Sequence, residues 1–390
     1  MVQRTTTRRT MLAGAAALGL APALPPGPAR GAGFPVVTGC RADRTLSGMS
    51  LEEQVGQMFM VGTPATAASS AVLDQIGRYH VGSVMLTGRS TTGVSATARV
   101  TAALQARARA VGDPPLVIAT DQEGGAVQVL QGPGFARLPS ATEQGRWSTQ
   151  TLREAPVSWA GQLRSAGVNA NLAPVLDTVP SATYPNPPVG DWDRNYAFTA
   201  AGVTEKGVAV MSGWRGGRVA TAVKHFPGLG LVPANTDTTS VVRDTTITTT
   251  HSYLAPFRAA IQQGTDMVMM SSAYYDRIDP VNPAALSRPV VTDLLRGSLG
   301  FRGVVISDDL GAARAMTAIA IDARASRFVA AGGDLLLTVT PTPLPQMVEA
   351  VLRRARSDAA WRAKVYAAAR RVLTMKENLG LLGDPCWGNG

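Results

Sequence analysis

The chain is poor in the residues that build metal centres and disulfide frameworks. Of its 390 residues, three are histidine (His80, His225, His251) and two are cysteine (Cys40, Cys386). That argues against a zinc finger or multi-histidine centre, which needs several such ligands at close spacing, and against a disulfide scaffold. No metal and no cofactor are expected. Aromatic residues make up 5%, too few for a platform that stacks nucleic-acid bases. Lysine is scarce as well. Only Lys206, Lys224, Lys364 and Lys376 contribute to the 37 basic residues, so the formal charge of +10 is an arginine excess. The arginines are scattered singly and in short clusters, and no nucleic-acid partner is expected. Past the first thirty residues no apolar run is long enough to span a bilayer. What is present is an ordinary globular balance, 45% hydrophobic against 16% charged. A chain of this length buries a large core without covalent staples.

The N-terminus reads as an address. Thr7-Arg8-Arg9-Thr10-Met11-Leu12 opens an apolar run that continues to Leu24 and is broken by Pro25 and Pro26. At about 14 residues the run is too short for a membrane span and suits a signal peptide. The paired arginines resemble a twin-arginine export signal, with an ordinary secretory signal as the alternative. Residues 1–31 are expected to be removed, taking Arg4, Arg8, Arg9 and Arg30 and leaving a charge of about +6. Export to the envelope or beyond permits disulfides. Cys40 and Cys386 sit at opposite ends of the mature chain, and a bridge tying the 381–390 tail to Cys40 is expected, because domain termini often lie close together. Val37-Thr38-Gly39-Cys40 also resembles a lipobox, which keeps lipidation open.

From residue 45 to 380 the chain alternates. Short apolar runs at 58–61, 84–86, 116–119, 171–174, 220–225, 267–271, 304–307 and 335–339 are predicted strands. Segments of helical period lie between most of them, as at 95–110, 152–166, 252–263 and 312–331. Ser50 followed by Glu53 reads as a capping box ahead of the first strand. Eight strand–helix units without a linker predict one α/β domain, a (β/α)8 TIM barrel, expected to be a monomer. An open doubly wound sheet is the alternative, but no glycine-rich dinucleotide turn follows the first strand.

Polar residues gather where these strands end. Asp121 follows the third, Asp177 the fourth, Lys224 and His225 close the fifth, Ser271 the sixth, and Asp308 and Asp309 the seventh. An acid after a strand is often a helix cap. Five such positions on one rim point instead to an active site, since barrels build theirs at the C-terminal ends of the strands. Acids outnumber every other candidate. Cys40 and Cys386 are terminal, and no serine sits in a nucleophile elbow. Paired carboxylates across a cleft are the chemistry of glycoside cleavage, in which one is ionised and one delivers a proton.

Five blocks resemble family 3 glycoside hydrolases, closest to their single-domain β-N-acetylglucosaminidases. They are Asp121-Gln122-Glu123-Gly124-Gly125, Asn171-Leu172-Ala173-Pro174-Val175, Lys224-His225-Phe226-Pro227-Gly228, Met269-Met270-Ser271 and Ile306-Ser307-Asp308-Asp309-Leu310. The resemblance implies a retaining hydrolase of terminal β-linked N-acetylglucosamine, typically from peptidoglycan fragments, that needs no cofactor. It casts Asp308 as nucleophile, Asp121 as a grip on sugar hydroxyls, and Lys224 and His225 as hydroxyl ligands at the ring edge. Arg194 resembles the arginine of a further block despite two extra residues. Glu123 is expected to orient the Gly124-Gly125 turn rather than touch sugar.

The sequence also departs from the resemblance. Relatives carry Asp-Ser-His in the loop after the fifth strand, its Asp and His forming the acid/base dyad. Here Asn235-Thr236-Asp237 stands at those positions, and no histidine lies between His225 and His251. Either Asp237 is itself the acid/base, with Asn235 orienting it, or the site binds sugar and turns over slowly. The stretch is also simply a good turn sequence. Gly228, Gly230 and Pro233 suit a lid that moves Asp237 over the sugar. Ala126 and Val129 replace two arginines of the Asp121 block, and Ser272 replaces a histidine. A different exo-β-glycosidase, a phosphorylase and a weakly catalytic wall-sugar-binding protein therefore remain as alternatives.

Overall fold

The computed structural model describes residues 40–383. The export signal, the lipobox and Cys386 lie outside the described residues. Eight parallel strands form the centre: β1 Phe59–Pro64, β2 Ser83–Thr87, β3 Val117–Thr120, β4 Ala170–Asn171, β5 Ala220–Phe226, β6 Met267–Met270, β7 Val304–Ser307 and β8 Leu336–Thr338. Each pairs with its sequence neighbour, β1 pairs with β8, and a parallel bridge from Ile306 to Leu335 joins β7 to β8. The sheet thus closes into the expected (β/α)8 barrel.

Period-two alternation explains why these runs become strands. Met60, Met85, Val117, Ala119, Ala222, Met267, Met269 and Ile306 point inward and pack on one another. Phe59, Val61, Val84, Leu86, Ile118, Val223 and Val268 point outward against the helices. Because both faces are covered, the strands read as nearly unbroken apolar runs. Val372 and Met375, from the helix Ala359–Asn378, join the inner cluster and plug its base. The upper inner layer, Met85, Leu172, Met269 and Leu337, is the floor of a pocket at the other end.

Helices cover the barrel between the strands, among them Ser70–Tyr79, Val94–Ala110, Thr149–Ser165, Ala200–Gly216 and Leu344–Ser357. The Ser50–Glu53 capping box is formed as read, opening the helix Leu51–Gly56. Ahead of it, the helix Cys40–Ser47 packs Ala42 and Leu46 on Ala369 and Leu373. Its free N–H groups at Arg41 and Ala42 donate to the Glu377 carboxylate, which offsets the helix dipole. Cys40 carries no free thiol.

Two segments differ from the reading. The fourth strand is only Ala170–Asn171, because the chain turns out of the sheet at Ala173 and Pro174, leaving a single bridge from Val175 to Lys224. The helix expected over 312–331 begins only at Ile321. Residues 311–320 bond elsewhere: Gly311 and Ala312 N–H groups donate to Asp309, and those of Arg314 and Ala315 donate to the carbonyls of Asp237 and Thr236. Local helical propensity yields there to the needs of the rim.

Lys376 lies fully buried beneath the barrel, with Nζ 2.6 Å from Gln57 Oε1. Burial pulls its pKa from an ordinary 10.5 down to about 7, against the opposing pull of Asp113. Between those values the unfolded chain binds the proton that the folded chain has released, so stability rises with pH. Urea unfolding from pH 7 to 10 is expected to show a rising midpoint in the parent and a flatter one in Lys376→Met. Identical pH dependence in the two proteins would contradict this.

Candidate active site

The pocket at the C-terminal mouth of the barrel has a volume of about 430 Å³. Its walls are built from four rim segments. Asp121 leaves β3 and leads into a hairpin in which the strand Gln122–Gly124 pairs with Val127–Gln128. Gly124 makes this turn possible: its φ is +112°, and a Cβ there would collide with the Pro139 carbonyl. The turn holds Glu123 against the pocket wall, 6% exposed.

Lys224 ends β5 with its ammonium wedged between two carboxylates, 2.7 Å from Asp121 Oδ1 and 2.6 Å from Glu123 Oε1. Arg194 grips Glu123 with both prongs, Nε to Oε2 at 2.9 Å and Nη2 to Oε1 at 2.8 Å. Its Nη1 donates to the Pro188 carbonyl at 2.6 Å. Burial alone would raise the Glu123 pKa. The charges of Arg194 and Lys224 more than offset that and hold it near 2. Burial likewise works against the Lys224 charge, but Asp121 and Glu123 leave its pKa raised. Two cations and two carboxylates thus stay ionised out of water. Glu123 therefore does more than shape the glycine turn: it joins the Lys224 and Arg194 heads, a role that the sequence reading did not give it.

His225 is joined to Lys224 by a cis peptide, and both side chains line the pocket. The ring Nδ1 is 2.7 Å from Oδ2 of Asp177, which is fully buried. The other Asp177 oxygen accepts the backbone N–H groups of His225 and Leu229, at 3.1 and 2.8 Å. A carboxylate only accepts, so Nδ1 carries the proton of this bond. That arrangement fixes the plane of the imidazole and leaves Nε2 for a ligand. Asp177 had been read as a rim acid without a task. Its place straight after the fourth strand was the available signal, but its bond to a residue 48 positions on was not visible in sequence.

Asp308 and Asp309 follow β7 and differ in their bonding. Asp309 accepts N–H groups from Gly311, Ala312 and Val339 and is a cap for the loop. Loss of hydration raises its pKa, which those bonds oppose. Asp308 uses one oxygen on the Asp309 N–H at 2.9 Å and makes no ion pair among the described residues. It lines the pocket with a carboxylate available to a ligand.

The loop 228–239 brings Asn235, Thr236 and Asp237 to the same pocket. Gly228, at φ +138°, begins it. Its base is fastened by Tyr275 Oη donating to the Gly228 carbonyl and by Asn186 Nδ2 donating to the carbonyls of Leu229 and Val232. At its tip, Asn235 Oδ1 accepts the Asp237 N–H at 2.8 Å. Asn235 thus orients Asp237 through the backbone. The Asp237 side chain keeps an exposed edge, yet its surroundings are dense. Lost hydration first, and the Asp308 charge second, raise its pKa to about 6 against the weaker pull of His225 and Arg194. All the expected site residues of the mature core, Asp121, Arg194, Lys224, His225, Asn235, Asp237 and Asp308, line one cavity.

The sequence model of the glycosyl hydrolase family 3 N terminal domain matches residues 50–375. A beta-hexosaminidase from Xanthomonas axonopodis pv. citri is 31% identical over 312 residues, 78% of this chain and 90% of the relative. The crystal structure of a beta-N-acetylhexosaminidase from Beutenbergia cavernae superposes with a TM-score of 0.83 at 46% identity, covering 84% of this chain and 99% of the other. A family 3 beta-N-acetylglucosaminidase from a Paenibacillus species gives a TM-score of 0.79 at 29% identity, covering 88% of this chain and 65% of the other. With its barrel, its rim of carboxylates and these matches, the chain belongs to glycoside hydrolase family 3.

Proposed function

We propose that the protein is a retaining exo-β-N-acetylhexosaminidase, with Asp308 as nucleophile and Asp237 as acid/base. The observation that carries this reading is the pair of pocket carboxylates with different environments. One is free of ion pairs, and the other is held near a pKa of 6 by burial and by the first. In the first step an Asp308 oxygen attacks the anomeric carbon while the bond to the leaving oxygen breaks. Asp237 delivers its proton to that oxygen. In the second step the Asp237 carboxylate takes a proton from water. The resulting hydroxide oxygen displaces Asp308, returning both groups to their starting states with the β configuration kept.

The remaining residues bind and orient. Asp121, Lys224 and Arg194 offer charged hydrogen-bonding groups to sugar hydroxyls, and such bonds are stronger and more directional than neutral ones. His225, fixed by Asp177, adds Nε2. The substrate class follows from the named activity of the relatives together with the intact nucleophile block. A terminal N-acetylglucosamine of peptidoglycan fragments is the proposed natural substrate, met after export. The paired arginines at Arg8 and Arg9 support the export step.

Three outcomes are expected with 4-nitrophenyl N-acetyl-β-glucosaminide. Proton NMR of the reaction shows the β anomer first; first appearance of the α anomer would exclude a glycosyl-enzyme. Asp308→Ala lowers kcat by at least ~1000-fold while the circular dichroism spectrum is kept; a variant that retains activity removes the nucleophile assignment. The third outcome concerns pH. Asp237 must be protonated to act as the acid, so kcat/KM falls as pH rises through about 6, approaching tenfold per pH unit. A profile flat from pH 5 to 8 would contradict the role.

A further inference from the structure

The sugar pocket has an annex. A second cavity of about 310 Å³ shares Met85, Asp121, Val127 and Val339 with it, so the two are continuous past Asp121. The annex is otherwise bounded by the loop after β2 (Thr87, Gly88, Arg89) and by Ala126, Gln128 and Val129. Small side chains at Ala126 and Val129 leave it open. Arg89 crosses its mouth, with Nη2 donating to the Ala126 carbonyl at 2.8 Å. Arg89 makes no ion pair among the described residues, and the rest of its guanidinium is unoccupied. Gln128 cannot serve a ligand: its amide donates to Leu130 and Ala136, and its carbonyl accepts from Leu138.

The position of the annex decides what part of a substrate meets it. In a closed ring of eight strands, β3 lies diametrically opposite β7. A sugar whose anomeric carbon faces Asp308, after β7, directs its far end to Asp121, after β3. The leaving group departs on the side of Asp237, which arrives from the loop after β5. The annex therefore lies beyond the non-reducing end of the bound sugar, not under the leaving group.

We infer that this annex is a binding site for an anionic substituent (sulfate, phosphate or carboxylate) on the far side of the terminal sugar, with Arg89 as its cation. Charge decides the class. The Asp121 charge is already met by the Lys224 ammonium at 2.7 Å, which leaves the Arg89 guanidinium as the unmatched charge facing the cavity. A planar guanidinium presents paired donors to such oxyanions. An exo enzyme with a closed pocket rejects decorated chain ends; this one is built to accept them. The inference rests on the hexosaminidase reading for its kinetic test but not for its binding test.

The binding arm compares N-acetylglucosamine with its 6-sulfate by calorimetry on the full chain. The kinetic arm compares 4-nitrophenyl N-acetyl-β-glucosaminide with its 6-O-sulfated counterpart. The sulfated partner is expected to be preferred in both arms, and Arg89→Ala is expected to reduce that preference about tenfold, with Arg89→Lys in between. If neither glycoside is cleaved but the sulfated monosaccharide binds tighter through Arg89, the annex stands and the hydrolase reading falls. Equal handling of the two partners, or a preference unchanged in Arg89→Ala, overturns the inference. So does a stronger preference for a glycoside extended at O4 by a neutral sugar, which would make the annex a second sugar subsite.

Discussion

The site depends on one buried ammonium. Lys224 sits 3% exposed between Asp121 and Glu123, where an unpaired charge would cost several kcal/mol. Each carboxylate answers it, and Arg194 balances the second one. The four groups come from the ends of β3 and β5 and from the loop that follows β4, so their mutual neutrality ties three sectors of the rim together. Loss of any member would leave an uncompensated charge, and the pocket wall could not keep its shape. The hydroxyl-binding surface is thus set before any sugar arrives, which is how binding groups avoid an ordering cost.

The two carboxylates assigned to chemistry are kept out of that balanced group. Asp308 makes no ion pair among the described residues, and Asp237 has no cation bonded to it. Asp237 feels the Asp308 charge directly, so ionising one disfavours ionising the other. That is the same logic by which a carboxyl pair divides into a nucleophile and a proton donor. An Asp in place of the usual His needs this help, because an unperturbed carboxyl would be ionised well below neutral pH. The loop supplies it by docking: the Arg314 and Ala315 N–H groups hold the Asp237 and Thr236 carbonyls against the segment after β7. Forfeiting the first turns of the helix after β7 is what frees those donors.

Much of this was legible in the sequence. All eight strands stood out because each is an apolar run with both faces covered, and seven of the site residues followed from acids and bases collected at strand ends. What the sequence hid was pairing. Glu123 reads as part of a glycine turn because its partners lie 71 and 101 positions away, at Arg194 and Lys224. Asp177 reads as a generic cap until His225 is brought onto it. The segment 312–320 has helical composition, and only its contacts with the lid reveal why it is not a helix. Local pattern therefore located the rim and its chemistry, while long-range electrostatics assigned the supporting roles. Cys386 and the export signal lie outside the described residues, so the bridge to Cys40 stays an expectation.

The assignment of Asp237 as proton donor is the claim on which the account turns, and leaving-group dependence tests it most directly. A 2,4-dinitrophenyl glycoside departs without a proton, whereas a 4-methoxyphenyl glycoside needs one. The account predicts that Asp237→Ala keeps its first-step rate on the dinitrophenyl substrate to within about tenfold but loses ~100- to 10,000-fold on the methoxyphenyl one. Equal losses on both substrates, or no loss on either, would contradict it and move the proton donor elsewhere.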